Sequence, residues 1–423
     1  MSRMEKFLYP VYPVICLNFM LIFYLFAAIL VFLSYKSFRG GINYLKFFQR
    51  ELAKPKSNFA PFVSVIVPCR GLDEDLEKNL SALFEQDFPA YEILFVTDSE
   101  KDEATKIIEK VSRQGAKRAK SKLVVAGKAE DESQKVHNLR EAVLRVSGDS
   151  EVFVFVDSDA RPGKDWLRNL IAPLAGEKIG AATGYRWFIS KKIGFASEMR
   201  SVWNASVASA LGANLKSNFC WGGSMAMRRE TFEKLRMREK WRGVLSDDFA
   251  VTRALKEANL PIYFVPQALT ASVEDCSFRE LFEFTTRQIK ITRVYAPHLW
   301  KQSFTGAFLF NLVFVWGILI IIFSPANTVS FRFALVSLFL ISAFSTGKAW
   351  LRLKAVKLVL RDYEKDLKRQ FRAQNTLWIL SPALFLYNSI AALFSRKILW
   401  RGIAYELKSP DKTIIIQENT TSY

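Results

Sequence analysis

Long apolar segments stand at both ends of this chain, and shorter mixed runs of hydrophobic and polar residues lie between them. Val11–Leu33 and Phe304–Phe323 contain no charged residue. Each is long enough to cross a hydrocarbon layer of roughly 30 Å as a helix. The first is longer than the apolar core of a signal peptide, and Ser34-Tyr35-Lys36 offers no small-residue cleavage site. We therefore predict an integral membrane protein with a retained amino-terminal anchor.

Two further apolar segments follow towards the carboxyl terminus. Phe333–Gly347 is short but lies between basic residues whose long side chains can reach the membrane interface. Ala373–Ser395 is uncharged, and Ser381-Pro382 interrupts it. The pattern predicts two to three carboxyl-terminal membrane helices, with the interrupted segment re-entrant or lying on the surface.

The middle of the chain alternates apolar runs of strand length with amphipathic segments of helical period. This alternation is typical of βαβ units and predicts a Rossmann-like α/β domain with a parallel sheet. The predicted strands are Val63–Val67, Tyr91–Val96, Lys122–Ala126 and Val152–Val156. The predicted helices are Asp73–Gln86, Glu103–Gly115, Lys135–Val146 and Phe249–Ala258.

These patterns divide the chain into five zones. They are an anchor with a basic juxtamembrane stretch (1–55), the α/β domain (60–275), an interfacial segment (276–303), membrane helices (304–407) and a polar tail (408–423).

Polar residues follow three of the predicted strands. Arg70-Gly71 comes after the first strand, Asp98 after the second, and Asp157 and Asp159 after the fourth. In a parallel sheet these ends share one edge, where ligands bind. Two carboxylates at positions i and i+2 of an extended backbone point the same way and can hold one divalent cation. A solvated aspartate turn is the alternative interpretation.

The charge of the chain changes this picture little. Its net charge of +19 comes largely from basic clusters that adjoin the apolar segments, as expected for cytoplasmic flanks and for contact with anionic lipid. No basic patch coincides with a nucleic-acid-binding motif, so we expect no nucleic-acid partner. With only two histidines, a histidine-built zinc site is not expected.

Eight short motifs occur along the middle of the chain. In order, they are Val63–Gly71, Asn79–Leu94, Asp98, Lys135–Leu139, Asp157–Asp159, Phe219–Met225, Ser246–Phe249 and Arg287–Ile291. Together they resemble glycosyltransferase family 2, the inverting enzymes that use nucleotide sugars, and most closely its ceramide glucosyltransferase branch. The resemblance implies a GT-A nucleotide-sugar-binding domain over roughly residues 60–300.

The resemblance also implies roles for the residues at the sheet edge. Asp157 and Asp159 would hold Mg²⁺ or Mn²⁺ on the diphosphate of a UDP-sugar. Some ceramide-type relatives lack the second carboxylate, so Asp157 is the ligand that the resemblance implies first. Asp98 would contact the uracil or ribose, unless it only caps a helix. Lys135 and Asn138 lie three positions apart on one helical face and could reach the nucleotide, as could Arg70.

Asp248 is our candidate general base, because the acceptor hydroxyl becomes acidic only in the transition state and a carboxylate can then take its proton. The neighbouring Asp247 could raise one of the two pKa values by like-charge repulsion. Alternatively, Ser246 or Asp247 caps the helix Phe249–Ala258. Both interpretations can hold together.

Arg287 and Lys290 partly match the family motif that grips the diphosphate or lines the acceptor site. Lysine stands where arginine is usual, and Ile291 replaces a tryptophan. A basic interfacial helix is the alternative interpretation, since charges recur at helical spacing. Gly222-Gly223 would let the backbone approach the donor sugar, or would form an ordinary turn. Further on, Trp400 and Tyr405 are predicted interface anchors.

The resemblance predicts an inverting transferase that moves a hexose, with glucose the expected sugar, from a UDP-sugar to the hydroxyl of a membrane lipid. Ceramide, a diacylglycerol or a hopanoid would serve as acceptor. The catalytic domain would be cytoplasmic, on a multi-pass protein of a bacterial plasma membrane. The alternatives are a processive polysaccharide synthase and a non-catalytic membrane binding protein on the same scaffold.

Overall fold

The structure, a computed structural model, describes residues 11–418 and the side chains of residues 19–417. Its helices are α1 Val11–Leu52, α2 Leu76–Phe84, α3 Ala104–Gly115, α4 Gln134–Ala142, α5 Trp166–Ile171, α6 Phe195–Ala208, α7 Arg229–Lys234, α8 Met237–Lys240, α9 Asp247–Glu257, α10 Phe278–Tyr295, α11 Pro297–Phe323, α12 Val329–Val359, α13 Glu364–Arg369, α14 Phe371–Thr376 and α15 Ser381–Phe394. Its strands are β1 Val63–Pro68, β2 Tyr91–Thr97, β3 Lys120–Val125, β4 Val152–Phe155, β5 Ala181–Thr183, β6 Arg186–Ile189, β7 Met225–Arg228, β8 Ile262–Phe264, β9 Thr270–Val273, β10 Lys397–Trp400, β11 Ile403–Ser409 and β12 Lys412–Glu418.

Seven strands form the central sheet, in the order β3-β2-β1-β4-β7-β5-β8. Val63 of β1 pairs in parallel with Tyr91 of β2 and Val152 of β4, whereas β7 runs antiparallel to β4 and β5. Every residue of β1, β2 and β4 is buried, because apolar clusters cover both faces of the sheet. The predicted α/β fold with flanking membrane helices is confirmed.

The first helix is longer than its apolar segment predicted, since α1 continues through the basic stretch to Leu52. Its last turns are amphipathic, and Tyr44, Phe47 and Phe48 pack into the same apolar cluster as β1. Burial of this face stabilises the extra helical turns.

Three of the described helices are long and apolar enough to cross a membrane: α1, α11 and α12. A further candidate is a pair of consecutive helical segments, Phe371–Ile379 and Ser381–Phe394, which bends by 58° at its break. This is the geometry of a broken span or a re-entrant segment. The break precedes Pro382, in the first turn of α15, where proline is tolerated.

The carboxyl terminus differs from its prediction. Residues 397–418 form an antiparallel sheet of β10, β11 and β12 instead of a membrane end and a polar tail, and residues 419–423 lie outside the described range. Tyr405 is 2% exposed, so its prediction as an interface anchor is wrong. Alternating apolar residues of β11 pack in a cluster with Leu245 and Ile291.

Candidate active site

A cavity of about 350 Å³ opens at the edge of the sheet where β1 and β4 end. Its lining comes from distant parts of the chain: Arg70 and Asp73 after β1, Lys135 and Asn138 of α4, Asp157 and Asp159 after β4, Arg186 of β6, Arg287 of α10, and Trp400, Arg401 and Tyr405 of the terminal sheet. The strand ends therefore meet as their positions in the sequence predicted.

Lys135 lies between two carboxylates at one end of this cavity. Its ammonium is 2.8 Å from Asp157 Oδ1 and 3.1 Å from Asp247 Oδ1. Burial opposes its charge, but the two aspartates outweigh burial and raise the pKa of Lys135. Ser133 caps α4 by accepting from the Val136 N–H, which positions Lys135 in the first turn of the helix. Asp157, Lys135 and Asp247 thus form one buried charge network.

The two aspartates of this network ionise differently. Burial opposes the charge of Asp157, yet nearby Lys135 and Arg186 lower its pKa overall. Burial raises the pKa of Asp247 to about 6, although Lys135 acts in the opposite direction. Asp247 Oδ2 is buried and has no hydrogen-bond partner. Asp247 can therefore exchange a proton near neutral pH, whereas Asp157 stays ionised.

Asp159 lies beside Arg186, with 3.0 Å between Oδ2 and Nη1. Burial raises the pKa of Asp159 despite this guanidinium, and its Oδ1 is a buried oxygen without a hydrogen-bond partner. The guanidinium of Arg186 also lies 4.9 Å from the ring of Trp221. The prediction that Asp157 and Asp159 share an extended backbone is wrong, since β4 ends at Phe155 and a turn follows. Both nevertheless reach the same cavity.

These residues fit a divalent cation in part. No group of three histidine, cysteine, aspartate or glutamate side chains converges for a metal within the described residues. Asp157 and the unpartnered Oδ1 of Asp159 can supply two oxygen ligands. Mg²⁺ is commonly held by one or two carboxylates, with substrate phosphates and water completing its shell. The pair therefore suits a metal that arrives with a diphosphate.

Gly222 and Gly223 permit the close packing of this network. A Cβ at Gly222 would lie 2.1 Å from Asp247 Oδ2, and one at Gly223 would lie 2.1 Å from the Trp221 ring and 2.7 Å from Asp157 Oδ2. None of these distances is sterically possible, so the absent side chains make room for the carboxylates.

Asp248 lies beside this network in the first turn of α9, and it is half-buried. Its Oδ1 accepts from the Phe249 N–H at 2.8 Å and from the Ser246 hydroxyl, and its Oδ2 accepts from the Gly222 N–H at 3.5 Å. Ser246 is the N-cap residue, but its side chain makes no capping bond. Asp248 does not line the cavity itself; Gly222 links it to the residues that do.

The other residues predicted to bind the nucleotide are Arg70, Asp98 and Asn138, and two of them line the cavity. Asp98 is buried and pairs with Arg70, which lines the cavity. Asn138 also lines it, while its side-chain oxygen accepts from Gln134 Nε2 at 2.8 Å and its amide group donates to the Val96 carbonyl at 3.4 Å. Asp98 thus reaches the cavity only through Arg70.

Arg287 and Lys290 separate in the structure. The guanidinium of Arg287 lies in the cavity, 5.5 Å from the ring of Trp400 and 5.7 Å from that of Phe284. Burial, together with the charges of Arg186 and Arg401, lowers the pKa of Arg287 to about 10. Lys290 lies outside the cavity lining and donates to the Lys397 carbonyl at 2.7 Å. The sequence predicted that Lys290 contacts the diphosphate or lines the acceptor site; in the structure it lies outside the cavity that Arg287 lines.

Sequence reasoning missed the contribution of the terminal sheet. Arg401 and Gly402 form the tight turn between β10 and β11, with φ values of 50° and 76°. The turn projects into the cavity, where Arg401 pairs with Asp73. Ile291 stands where the family motif has a tryptophan and offers no aromatic ring. In its place, Trp400 of the terminal sheet supplies an aromatic surface beside Arg287. The only sequence signal was a glycine after a basic and aromatic run, Ile398–Gly402.

An acidic wall was also missed. Glu274, Asp275, Glu280 and Glu283 line the cavity near the start of α10, and Arg200 pairs with Glu274 at 3.1 Å. A capping box between Ser277 and Glu280 begins α10 at this wall. These residues follow β9, which no predicted strand covered.

The sequence of the chain matches that of a known protein family. The model of Glycosyl transferase family 21 matches residues 22–413. Ceramide glucosyltransferase 1 of Caenorhabditis elegans is 23% identical over 250 residues, which are 56% of this chain and 51% of that protein. Glycosyltransferase AglE of Haloferax volcanii is 29% identical over 140 residues, 33% of this chain and 43% of its own. The chain spans about half the length of these relatives.

Among solved structures, a mannosyltransferase from Pyrobaculum calidifontis, in complex with GDP-Man and Mn²⁺, is 18% identical. That match covers 87% of this chain and 99% of the other, with a TM-score of 0.43.

Proposed function

This chain belongs to glycosyl transferase family 21, and we propose that it moves a hexose from a UDP-sugar to the hydroxyl of a membrane lipid with inversion at the sugar. Glucose is the expected hexose, and ceramide, a diacylglycerol or a hopanoid is the expected class of acceptor. The observation that carries the proposal is the network of Asp157, Lys135 and Asp247 in a cavity at the sheet edge, with Asp248 beside it.

Asp248 acts as the general base in this proposal. The acceptor oxygen attacks the anomeric carbon, the bond from that carbon to the diphosphate breaks, and the hydroxyl proton passes to Asp248. One displacement inverts the configuration and releases UDP. The hydrogen bonds from Ser246 and Phe249 orient the carboxylate. The Asp248 side chain is partly exposed.

Asp157 and Asp159 would hold Mg²⁺ or Mn²⁺ together with the donor. When bound, the metal would help to neutralise the charge that develops on the leaving diphosphate. Lys135 keeps Asp157 ionised and ready to bind a cation. Asp159 Oδ1 has no hydrogen-bond partner, so a cation would supply the partner that this buried oxygen lacks.

Three arginines of the cavity would also stabilise the leaving group. Arg186, Arg287 and Arg401 line the cavity from three separate parts of the chain. Positive charges held in place beside the negative charge that develops on the diphosphate lower the barrier to its departure. Arg70, Asp98, Lys135 and Asn138 would hold the nucleoside end of the donor. The indole of Trp400 offers the stacking surface that Ile291 lacks.

The surroundings of the cavity support a lipid acceptor. Phe195 and Phe278 stack with 5.6 Å between ring centroids, and both are about half exposed. Phe282 packs edge-on against Tyr387 of the bent membrane segment. These exposed aromatic rings lie beside the acidic wall, at the start of α10. Such a surface suits the membrane interface and could receive a lipid whose tail stays in the bilayer.

We also propose the orientation of the protein. Basic residues recur in the carboxyl-terminal parts of α1 and α12, which adjoin the α/β domain. By the positive-inside rule, these basic residues support a catalytic domain in the cytoplasm of a multi-pass protein, and the membrane of our proposal is a bacterial plasma membrane.

A transfer assay tests the proposed function. Purified protein in detergent receives Mg²⁺ or Mn²⁺, a total membrane-lipid extract, and labelled UDP-glucose, UDP-galactose or UDP-N-acetylglucosamine separately. We expect label in one discrete lipid, with the highest rate from UDP-glucose. Asp248→Asn should lower the rate by about 100-fold or more while UDP affinity stays within about twofold. Asp149→Asn, at an exposed position, is the matched control.

The other outcomes separate the alternatives. Label in a polymer would identify a processive polysaccharide synthase. UDP binding without transfer from any of the three donors would favour a non-catalytic binding protein. Near-normal transfer by Asp248→Asn would exclude Asp248 as the base.

A further inference from the structure

A second cavity, of about 390 Å³, lies among the membrane helices α1, α11 and α12, helix α15 and one face of α6. We call it the interhelical cavity. Leu33, Phe310 and Phe385 contribute to its apolar wall, and Lys348, Arg352 and Ser381 to its polar wall. Its volume falls within the roughly 300–1,000 Å³ that is typical of ligand pockets.

The cavity lies where the helices leave the hydrocarbon layer. α11 ends and α12 begins at the far side of the helix bundle, around residues 323–329. At 1.5 Å per residue, Lys348 lies about 29 Å along α12 from Val329, close to the roughly 30 Å thickness of the hydrocarbon. Lys348 donates to Ser37 Oγ of α1 at 2.8 Å, so α1 is at the same level. This is the level of lipid headgroups, on the side of the α/β domain.

Two cations point into this cavity without an acidic partner. Arg352 is 5% exposed and Lys348 is partly buried, and neither forms an ion pair with a described residue. No aspartate or glutamate lines the cavity within the described part of the chain. A buried charge that lacks a counter-charge is costly in free energy.

Several polar atoms in the lining of the cavity lack a close hydrogen-bond partner. Arg352 Nη2 has only a long contact, 3.5 Å, to Gln374 Oε1, and Arg352 Nε has no partner. The hydroxyl of Ser381 is likewise buried without a partner. A ligand with several anionic oxygens would satisfy all of these groups at once, and the planar fork of arginine matches phosphate well.

We propose that the interhelical cavity binds the phosphate group of an anionic glycerophospholipid. Lys348 and Arg352 neutralise the phosphate, Ser381 donates a hydrogen bond to it, and the apolar wall holds the start of an acyl chain. This lipid is not the acceptor. Trp203 stands between the two cavities, stacked on Phe385 at 4.8 Å and edge-on to Phe284 at 6.0 Å. The proposal is therefore independent of the proposed function.

Lipid retention in a native mass spectrum tests the site. The full-length protein is reconstituted in phosphatidylcholine nanodiscs that contain phosphatidylglycerol, then released into neutral detergent. We expect the wild type to retain one phosphatidylglycerol. The double variant Lys348→Gln, Arg352→Gln should retain at least about tenfold less, since it loses both charged hydrogen bonds to the phosphate. Lys354→Gln, exposed on the same helix, is the matched control and should retain lipid like the wild type.

Two results would overturn the proposal in this assay: equal retention of phosphatidylcholine and phosphatidylglycerol by the wild type, or full retention by the double variant. A thermal-unfolding arm distinguishes a lipid from free phosphate. Phosphatidylglycerol should raise the unfolding midpoint of the wild type, and inorganic phosphate at the same concentration should not. An equal rise with inorganic phosphate would assign the cavity to a soluble anion and refute the lipid assignment.

A folding control keeps the test decisive. In neutral detergent without anionic lipid, Arg352→Gln should unfold at the same temperature as the wild type or higher, because it removes a buried charge that has no partner. A lower midpoint would show that Arg352 already has a compensating partner, against the proposal.

Discussion

Arg70 and Arg401 lie 331 residues apart in the chain and exchange hydrogen bonds in the lining of the cavity at the sheet edge. Nε of Arg70 donates to the Arg401 carbonyl, and Nη1 of Arg401 donates to the Arg70 carbonyl, both at 3.1 Å. The ion pair of Arg401 with Asp73 adds a third link. The turn between β10 and β11 is therefore held against the end of β1, and the carboxyl terminus closes one side of the proposed donor site.

Arg401→Gly tests whether this turn binds the donor. Glycine tolerates the φ of 50° at this position, so the variant removes the guanidinium without straining the turn. We expect UDP affinity, measured by titration calorimetry, to fall about tenfold or more, since a hydrogen bond to a charged group contributes about 1.5–3 kcal/mol. Arg396→Ala, at an exposed site outside the cavity lining where the guanidinium donates to the Lys408 carbonyl, should bind UDP normally. Normal affinity in Arg401→Gly would limit Arg401 to a structural role.

Asp157→Ala should remove the metal dependence of donor binding. In Mn²⁺ the variant should bind UDP at least about tenfold more weakly than the wild type, because a metal ligand is lost. In a chelator the two proteins should bind alike. Asp149→Ala provides the control for an exposed aspartate. A loss of affinity that is equal with and without metal would show that Asp157 acts only by holding Lys135.

The stability of the protein should depend on pH through Asp247. The unfolded chain ionises this carboxyl near its ordinary pKa of 3.8, whereas burial holds the folded pKa at about 6. The folded state therefore binds the extra proton between these values, and the stabilisation present below about pH 4 is lost as the pH rises through about 6. The upper bound on this loss is about 3 kcal/mol.

Asp247→Asn should remove most of that dependence, since asparagine resembles the protonated acid and Asp157 still holds Lys135. Unfolding midpoints of both proteins, measured from about pH 4 to about pH 8, check this expectation. The midpoint of the wild type should fall relative to that of the variant as the pH rises. Parallel curves would show that Asp247 does not titrate in this range.

Arg287 and Lys290 should differ in their importance. Arg287→Gln removes a charge from the cavity and should lower kcat/KM for the donor by about 100-fold, the order found when one electrostatic contact to a transition state is lost. Lys290→Gln removes a contact to the Lys397 carbonyl and should change kcat/KM by less than about threefold. Initial rates over a range of donor concentrations measure both. Equal losses would mean that Lys290 turns into the cavity when the donor binds.

The sequence by itself determined the features that depend on neighbouring residues. Apolar length predicted the membrane helices, and the alternation of strands and helices predicted the α/β domain, because both patterns are local. The predicted strand ends also indicated that Arg70, Asp157 and Asp159 lie at one edge of the sheet, since parallel strands end together. The local pattern did not predict where each helix ends. The apolar segment of α1 stops at Leu33, but the helix extends to Leu52 because its last turns pack on the sheet.

Only the tertiary structure decided which charges meet. Lys135 joins Asp157 to Asp247, and Arg401 reaches Asp73, through contacts between residues that are far apart in the chain. No local pattern encodes such pairs, because the free energy of each depends on burial and on elements that assemble together. For the same reason two residues lie away from their predicted positions. Tyr405, predicted as an interface anchor, accepts a hydrogen bond from the first residue of α4. Lys290, predicted to contact the diphosphate or line the acceptor site, donates to a carbonyl of β10.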